Sequence, residues 1–235
     1  MQRRNGLFRI NFRCLIVPKF DSNFDVIFLF NRYQKQRKAY QMLDYNELRG
    51  FLSAACLRFQ DHKSKIAQHI SAVLTDNPKL NQNRVPEAAP VTVSLPDFLP
   101  TKQTTLTSRL ATCADSLSWR EAGFGKLPNE FSKRIFASEL IGPNGLFEST
   151  NIRIGLLIQQ EKIAYPKHWH DAEELYLVLN GNAYWSVDDD PAVLYRPDSF
   201  VHHKSCQPHS MTTHAEPLLA LWGWTGDIDG KSYSI

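Results

Sequence analysis

The stretch His168 to Gly181 reads H-W-H-D-A-E-E-L-Y-L-V-L-N-G. Alternate side chains of a β-strand share a face, so His168 and His170 point one way, and Glu174 and Tyr176 do so further along. Two imidazoles and a carboxylate then form a three-point clamp for a metal ion with a phenol beside it. Such ligands suit zinc, iron, manganese or nickel, and the lack of a thiolate argues against a structural zinc knot.

Strands must carry this clamp, and the hydrophobic pattern after residue 131 supplies them. Arg134 to Ile141 and Ile152 to Gln159 are apolar-rich and separated by the turn Gly142-Pro143-Asn144-Gly145. Further strands are predicted at Tyr165 to His170, Glu174 to Leu179, Ala183 to Val187, Val193 to Tyr195, Phe200 to His202, His209 to Thr213 and Leu218 to Trp224. Short strands at regular spacing with turn residues between them indicate a sandwich or small barrel. Asp188-Asp189-Asp190 falls at a predicted hairpin tip before Pro191 and reads as a solvated turn rather than a cation site.

The first half has a different period. Tyr45, Leu48, Phe51, Leu52, Ala55 and Phe59 recur at helical spacing with Asp44 as the predicted N-cap, and Ile66, Ile70, Val73 and Leu74 mark a second helix stopped by Asp76-Asn77-Pro78. Pro78, Pro86, Pro90, Pro96 and Pro100 break up the next stretch, which reads as a linker or an arm lying over the domain. A third helix is expected near Leu106 to Leu117, and the loop Trp119 to Leu127 ends the helical part. The expected organisation is a basic, poorly ordered extension over 1–41, a helical region over 42–118 with a Pro-rich linker at 77–104, and a β-barrel metal-binding domain over 119–235.

Composition bounds the function classes. The chain has 235 residues, is 43% hydrophobic and 22% charged, and is ordinary for a globular protein. Its net charge of +3 hides an asymmetry. Arg3, Arg4, Arg9, Arg13, Lys19, Arg32, Lys35, Arg37 and Lys38 precede residue 41, against Asp21 and Asp25, so the remainder gives no nucleic-acid footprint. That segment, with strand-like patches at Leu7 to Leu15 and Val26 to Phe30, is expected to be a tail, or upstream sequence from a start codon ahead of Met42. It lacks the continuous apolar region of a signal peptide. Cys14, Cys56, Cys113 and Cys206 are scattered without a C-x-x-C pair, which suits a reducing cytoplasm, and no apolar run approaches a membrane span.

The fixed positions of H-x-H-x3-E-x6-G, the first motif of the cupin superfamily, are all met by His168, His170, Glu174 and Gly181. The resemblance implies a mainly β fold, a single cupin barrel (double-stranded β-helix, jelly-roll-like) preceded by helices. The superfamily's second motif adds a metal-binding histidine on a later strand. His202 in P-D-S-F-V-H mimics its spacing, with Ser199 in place of glycine, whereas His209 follows Pro208 into a strand and suits the separation from the first motif better. His209 is the favoured fourth ligand, with His202 or His203 lining a neighbouring loop.

A closer similarity is to the cupin-type dimethylsulfoniopropionate (DMSP) lyases of the DddL and DddQ kind, bacterial enzymes of sulfur metabolism. It is carried by Tyr165-Pro166-x-His168-x-His170, by Glu173-Glu174-Leu175-Tyr176, and by Pro208-His209-x-Met211-x-Thr213 running into Glu216 to Trp222. It covers roughly residues 105–235. The resemblance implies release of dimethyl sulfide and acrylate by β-elimination. It also implies one divalent metal ion (Zn2+, Fe2+ or Mn2+) held by His168, His170, Glu174 and His209. Tyr176 would be the general base, its phenolate favoured by the neighbouring cation, and Tyr165 a second active-site tyrosine that positions substrate or supports proton transfer.

A sulfonium over an aromatic face gains about 0.5 to 2 kcal/mol. Trp222 and Trp224 on one late strand, and Tyr184 or Trp185 after the motif turn, are available, and Trp222, Trp224 and Tyr184 are the candidate substrate-binding residues. Core packing is the plainer role for each. Cys206 has no positioned partner to activate it and reads as a passive loop cysteine. The expected partner is the small-molecule substrate, with no nucleic acid and no membrane, and a homodimer is the assembly to test for. Other cupin chemistries, such as a dioxygenase or isomerase, or a ligand-binding cupin without turnover, are the rivals; a dioxygenase has no need of the phenol beside Glu174.

Overall fold

Alternation of apolar residues along the strands decides which layer each side chain joins. The structure, a computed structural model, describes residues 45–76, 78–84 and 90–235. The predicted basic extension, its strand-like patches, the Asp44 cap and Cys14 lie outside these residues. Helix α1 covers residues 45–60 and is followed by α2 (Lys65–Thr75) and α3 (Thr105–Thr112). The Ser64 side chain caps α2 by accepting from the Ala67 N–H, and Thr104 and Thr107 form a reciprocal capping box on α3. α3 stops short of the predicted Leu117, because Ala114–Ser116 tightens into a 3-10 turn. None of the described helices is long and apolar enough to cross a membrane.

The strands are β1 (Arg120–Glu121), β2 (Ile135–Ile141), β3 (Ile152–Gln159), β4 (Ala164–His168), β5 (Ala172–Asn180), β6 (Ala183–Val187), β7 (Val193–Tyr195), β8 (Phe200–His203), β9 (His209–Thr213) and β10 (Leu218–Gly226). A short helix α4 (Asn129–Ser132) leads into β2. The strands form a six-stranded sheet of order β1-β2-β3-β10-β5-β8 and a four-stranded sheet of order β4-β9-β6-β7, and their pairings are antiparallel.

The larger sheet is buried on both faces. Ile154, Leu156 and Ile158 of β3, Leu175, Leu177 and Leu179 of β5, and Leu219 and Leu221 of β10 pack toward Leu48, Phe51, Phe59, Ile66 and Ile70 of the helices. The intervening residues, among them Leu157, Tyr176, Val178, Ala220 and Trp222, join Trp185 and Met211 of the smaller sheet in a second core. The helices therefore fix the parity of β5 and β10: a one-residue slip would drive Glu174 and Tyr176 into the helical layer. Gly223 sits on the helix side, where an added Cβ would lie 2.5 Å from Ile70. Within the Pro-rich stretch Leu95 is buried and Asn180 donates to the Phe98 carbonyl at 2.8 Å, so this part lies against the barrel as an arm. The Asp188 to Asp190 turn is exposed, with Lys167 donating to Asp189 at 2.9 Å.

Candidate active site

Glu174 is the hub of a buried polar cluster drawn from both sheets. On the larger sheet it lies opposite His203 of β8 and Trp224 of β10, while on the smaller sheet His168 of β4 lies opposite His209 of β9. His170 follows β4 in the turn to β5. Tyr165 and His168 are three residues apart and would face opposite ways in a regular strand. A register shift around Pro166 turns both inward, where their rings stack at 4.3 Å.

Each of three imidazoles is oriented from its rear nitrogen. Nδ1 of His168 donates to the Pro166 carbonyl at 2.8 Å, that of His170 to Ala172 at 2.9 Å, and that of His209 to Gln207 at 2.8 Å. In the neutral ring Nε2 is then a lone pair. Nε2 of His170 and of His209 lie 3.2 and 3.4 Å from Glu174 Oε2, so acceptor atoms converge on one another. A cation or extra protons must complete such an arrangement, and rear nitrogens tied to carbonyls are the usual support of metal-binding histidines. His170, Glu174 and His209 offer ligand atoms that all lie within 4.8 Å of one another, and they fit a divalent metal ion.

His168, the remaining predicted ligand, stands beside this group rather than in it, its ring 4.2 Å from that of His209. Burial, and next the neighbouring His209, pull His168 well below the ordinary histidine range. His202 faces outward and pairs with Glu173 at 2.7 Å. The inward residue of β8 is His203, which pattern reading placed on a neighbouring loop. It is fully buried, stacks on His209 at 3.8 Å and donates from Nδ1 to Glu174 Oε2 at 3.4 Å. Burial, then His209, pull it down to about 4. Burial alone would raise Glu174, but the hydrogen bonds that the His170, His203 and His209 imidazoles give it when protonated outweigh burial and hold the carboxyl well below its usual range.

A cavity opens on this cluster. Tyr165, Tyr176, Trp222 and Trp224 line it together with His168, His170, Glu174, Arg120, Phe124 and Tyr233. Trp224 donates its indole N–H to Glu174 Oε1 at 2.6 Å, whereas the Trp222 indole N–H has no partner. Burial, and then the charge of Glu174, push Tyr176 well above the usual phenol range. Protein groups alone thus keep this phenol protonated.

Tyr184 does not join the site. Strand alternation puts Trp185 inward against Tyr176 and leaves Tyr184 exposed beside His214 on the outer face. Two cavity aromatics went unread in the sequence. Phe124 sits in a left-handed turn at φ 52°, and Tyr233 comes from the segment after β10; neither belongs to a periodic pattern. Cys206 is exposed on a turn, its thiol 3.2 Å from Asp171.

Residues 62–220 match the DMSP lyase family. The DMSP lyase DddQ of Ruegeria pomeroyi is 31% identical over 147 residues, which are 62% of this chain and 73% of that protein. The crystal structure of DddQ from Ruegeria pomeroyi DSS-3 superposes with a TM-score of 0.55 at 25% identity, covering 76% of this chain and 95% of the other. A chain from the crystal structures of the DMSP lyases RdDddP and RnDddQII gives a TM-score of 0.59 at 22% identity, covering 82% and 98%, a likeness of fold. With a cupin barrel around the cluster and a family match over more than half its length, the chain belongs to the DMSP lyase family and is a carbon–sulfur lyase.

Proposed function

We propose that this chain cleaves DMSP to dimethyl sulfide and acrylate, with Tyr176 as the general base. The observation that carries the reading is the sharing of one cavity by the Glu174 cluster, the Tyr176 phenol and the indole of Trp222. The substrate is a zwitterion, and the cavity has a chemically distinct place for each end.

In the reaction Tyr176 takes a proton from the carbon next to the carboxylate. The electron pair left behind becomes the new carbon–carbon double bond as the carbon–sulfur bond breaks, and the pair of that bond leaves on sulfur. Dimethyl sulfide departs neutral, and the proton on Tyr176 passes to solvent. A divalent metal ion held by His170, Glu174 and His209 would polarise the substrate carboxylate and favour the phenolate of Tyr176. Trp222 offers the face against which the sulfonium rests. Tyr165, buried beside His168, orients the carboxylate end. Trp224 holds Glu174 in place rather than acting as a free cage wall.

The test is release of dimethyl sulfide into headspace by purified protein supplied with zinc, iron, manganese or cobalt. We expect activity with at least one metal, and Tyr176→Phe should retain metal while losing nearly all turnover. No dimethyl sulfide with any of the four would sink the reading.

A further inference from the structure

The family match ends at residue 220, yet the segment after β10 supplies part of the cavity wall. Several independent contacts hold that segment. The Arg153 Nε–H donates to the Ile228 carbonyl at 2.6 Å, and the Asp171 N–H donates to Ser232 Oγ at 2.9 Å. Ser234 and Trp169 exchange backbone hydrogen bonds at 2.9 and 3.0 Å, directly between the two histidines of the first motif. The Lys126 ammonium donates to the carbonyls of Lys231 and Tyr233.

These ties set Tyr233 into the site. Its ring lies 5.3 Å from His168 and 5.9 Å from Phe124, and its hydroxyl shares a hydrogen bond with that of Tyr165 at 2.9 Å. Both tyrosines are buried. A phenol has a single proton to give. When Tyr233 donates to Tyr165, the Tyr165 proton is free to point into the cavity, where a carboxylate can accept it. The ring separately closes the wall beside His168.

We propose that Tyr233 is a positioning residue for the elimination, orienting the Tyr165 hydroxyl through its own and completing the cavity wall with its ring. The proposal rests on the lyase reading above. Two substitutions separate the two contributions: Tyr233→Phe keeps the ring and removes the hydroxyl, whereas Tyr233→Ala removes both.

The experiment measures kcat and KM for DMSP, with thermal midpoints, in the full chain carrying Tyr233→Phe, Tyr233→Ala, Tyr165→Phe or the Tyr165→Phe/Tyr233→Phe pair. For Tyr233→Phe we expect kcat to fall about tenfold, with KM and the thermal midpoint unchanged, as for a misdirected group in a folded site. Tyr233→Ala should in addition raise KM. The double variant should be no slower than Tyr165→Phe alone, because the hydroxyl acts through Tyr165. Wild-type kcat and KM in Tyr233→Phe, or a double variant slowed by the product of the single effects, would overturn the proposal. If wild-type protein releases no dimethyl sulfide, the lyase reading itself fails and this role fails with it.

Discussion

The Trp224 indole N–H donates to Glu174 Oε1 at 2.6 Å, and the opposite oxygen of that carboxylate, Oε2, is the atom that His170, His203 and His209 approach at 3.2 to 3.4 Å. One oxygen is therefore anchored while the other is presented to the histidines. Trp224→Phe keeps the ring in the cavity and frees Oε1. Supporting groups of this kind change metal affinity by about 10- to 100-fold when removed. We expect a loss in that range by metal titration, with the fold retained by circular dichroism; unchanged affinity would show that the indole only packs.

The three neighbouring histidines of β8 and β9 should behave differently. His209→Ala removes a group near enough to share an ion with His170 and Glu174 and should abolish stoichiometric metal content. His203→Ala removes a donor to Glu174 Oε2 and the ring stacked on His209, and should weaken metal binding by about 10- to 100-fold. His202→Ala breaks only a partly exposed pair with Glu173 and should leave metal content unchanged. Metal analysis after gel filtration distinguishes the three, and loss of metal in His202→Ala alone would reverse the assignment.

That contrast marks the limit of what the sequence could tell. The first motif was legible because period-two alternation fixes which of its residues share a face, and the helical spacing of Leu48, Phe51, Leu52, Ala55 and Phe59 gave the layer that holds the parity. Spacing favoured His209 as the fourth ligand and left His202 and His203 undivided beside a neighbouring loop, whereas the register of β8 on β5 sets His203 opposite Glu174 and His202 opposite Leu175. The same one-residue question separated Tyr184 from Trp185. Register comes from long-range pairing, which a short strand does not encode by itself. Tyr233 and Phe124 were illegible for another reason: they sit in irregular segments placed by tertiary hydrogen bonds.

Substrate binding should follow this placement. Trp222 faces the cavity with an unpartnered indole N–H, and Tyr184 is on the outside. Loss of one cation–aromatic contact worth about 0.5 to 2 kcal/mol corresponds to about a 2- to 30-fold change. Trp222→Leu should raise KM for DMSP within that range, and Tyr184→Leu should leave it unchanged. A larger effect from Tyr184→Leu would place the sulfonium elsewhere.

A buried ion pair supports the wall that carries Tyr233. Arg153 Nη1 lies 2.6 Å from Glu139 Oε2, both side chains are buried, and Arg153 Nε holds the Ile228 carbonyl. Arg153→Met leaves the Glu139 carboxylate buried without its partner, which costs about 3 to 5 kcal/mol. Urea unfolding should show that loss, and Arg153→Met/Glu139→Leu should recover part of it. Failure of the pair to recover any stability would mean that the Ile228 contact, rather than charge burial, dominates.

Gly181, the glycine of the first motif, combines two constraints that can be separated. Its φ is +75°, and a Cβ there would lie 1.7 Å from the Pro217 carbonyl oxygen. Gly226 has a similar φ of +83° but nothing within 4 Å of its would-be Cβ. Left-handed backbone alone costs a non-glycine residue about 1 to 2 kcal/mol, and Gly226→Ala should lose that much. Gly181→Ala must also push β10's entry away from the β5–β6 turn, and because β5 carries Glu174 and Tyr176, metal affinity should fall along with stability. Urea midpoints and metal titration on the two variants test this. Equal destabilisation would mean that the motif needs glycine only for its backbone angle; a larger loss at Gly181, coupled to weaker metal binding, ties the glycine to the geometry of the site.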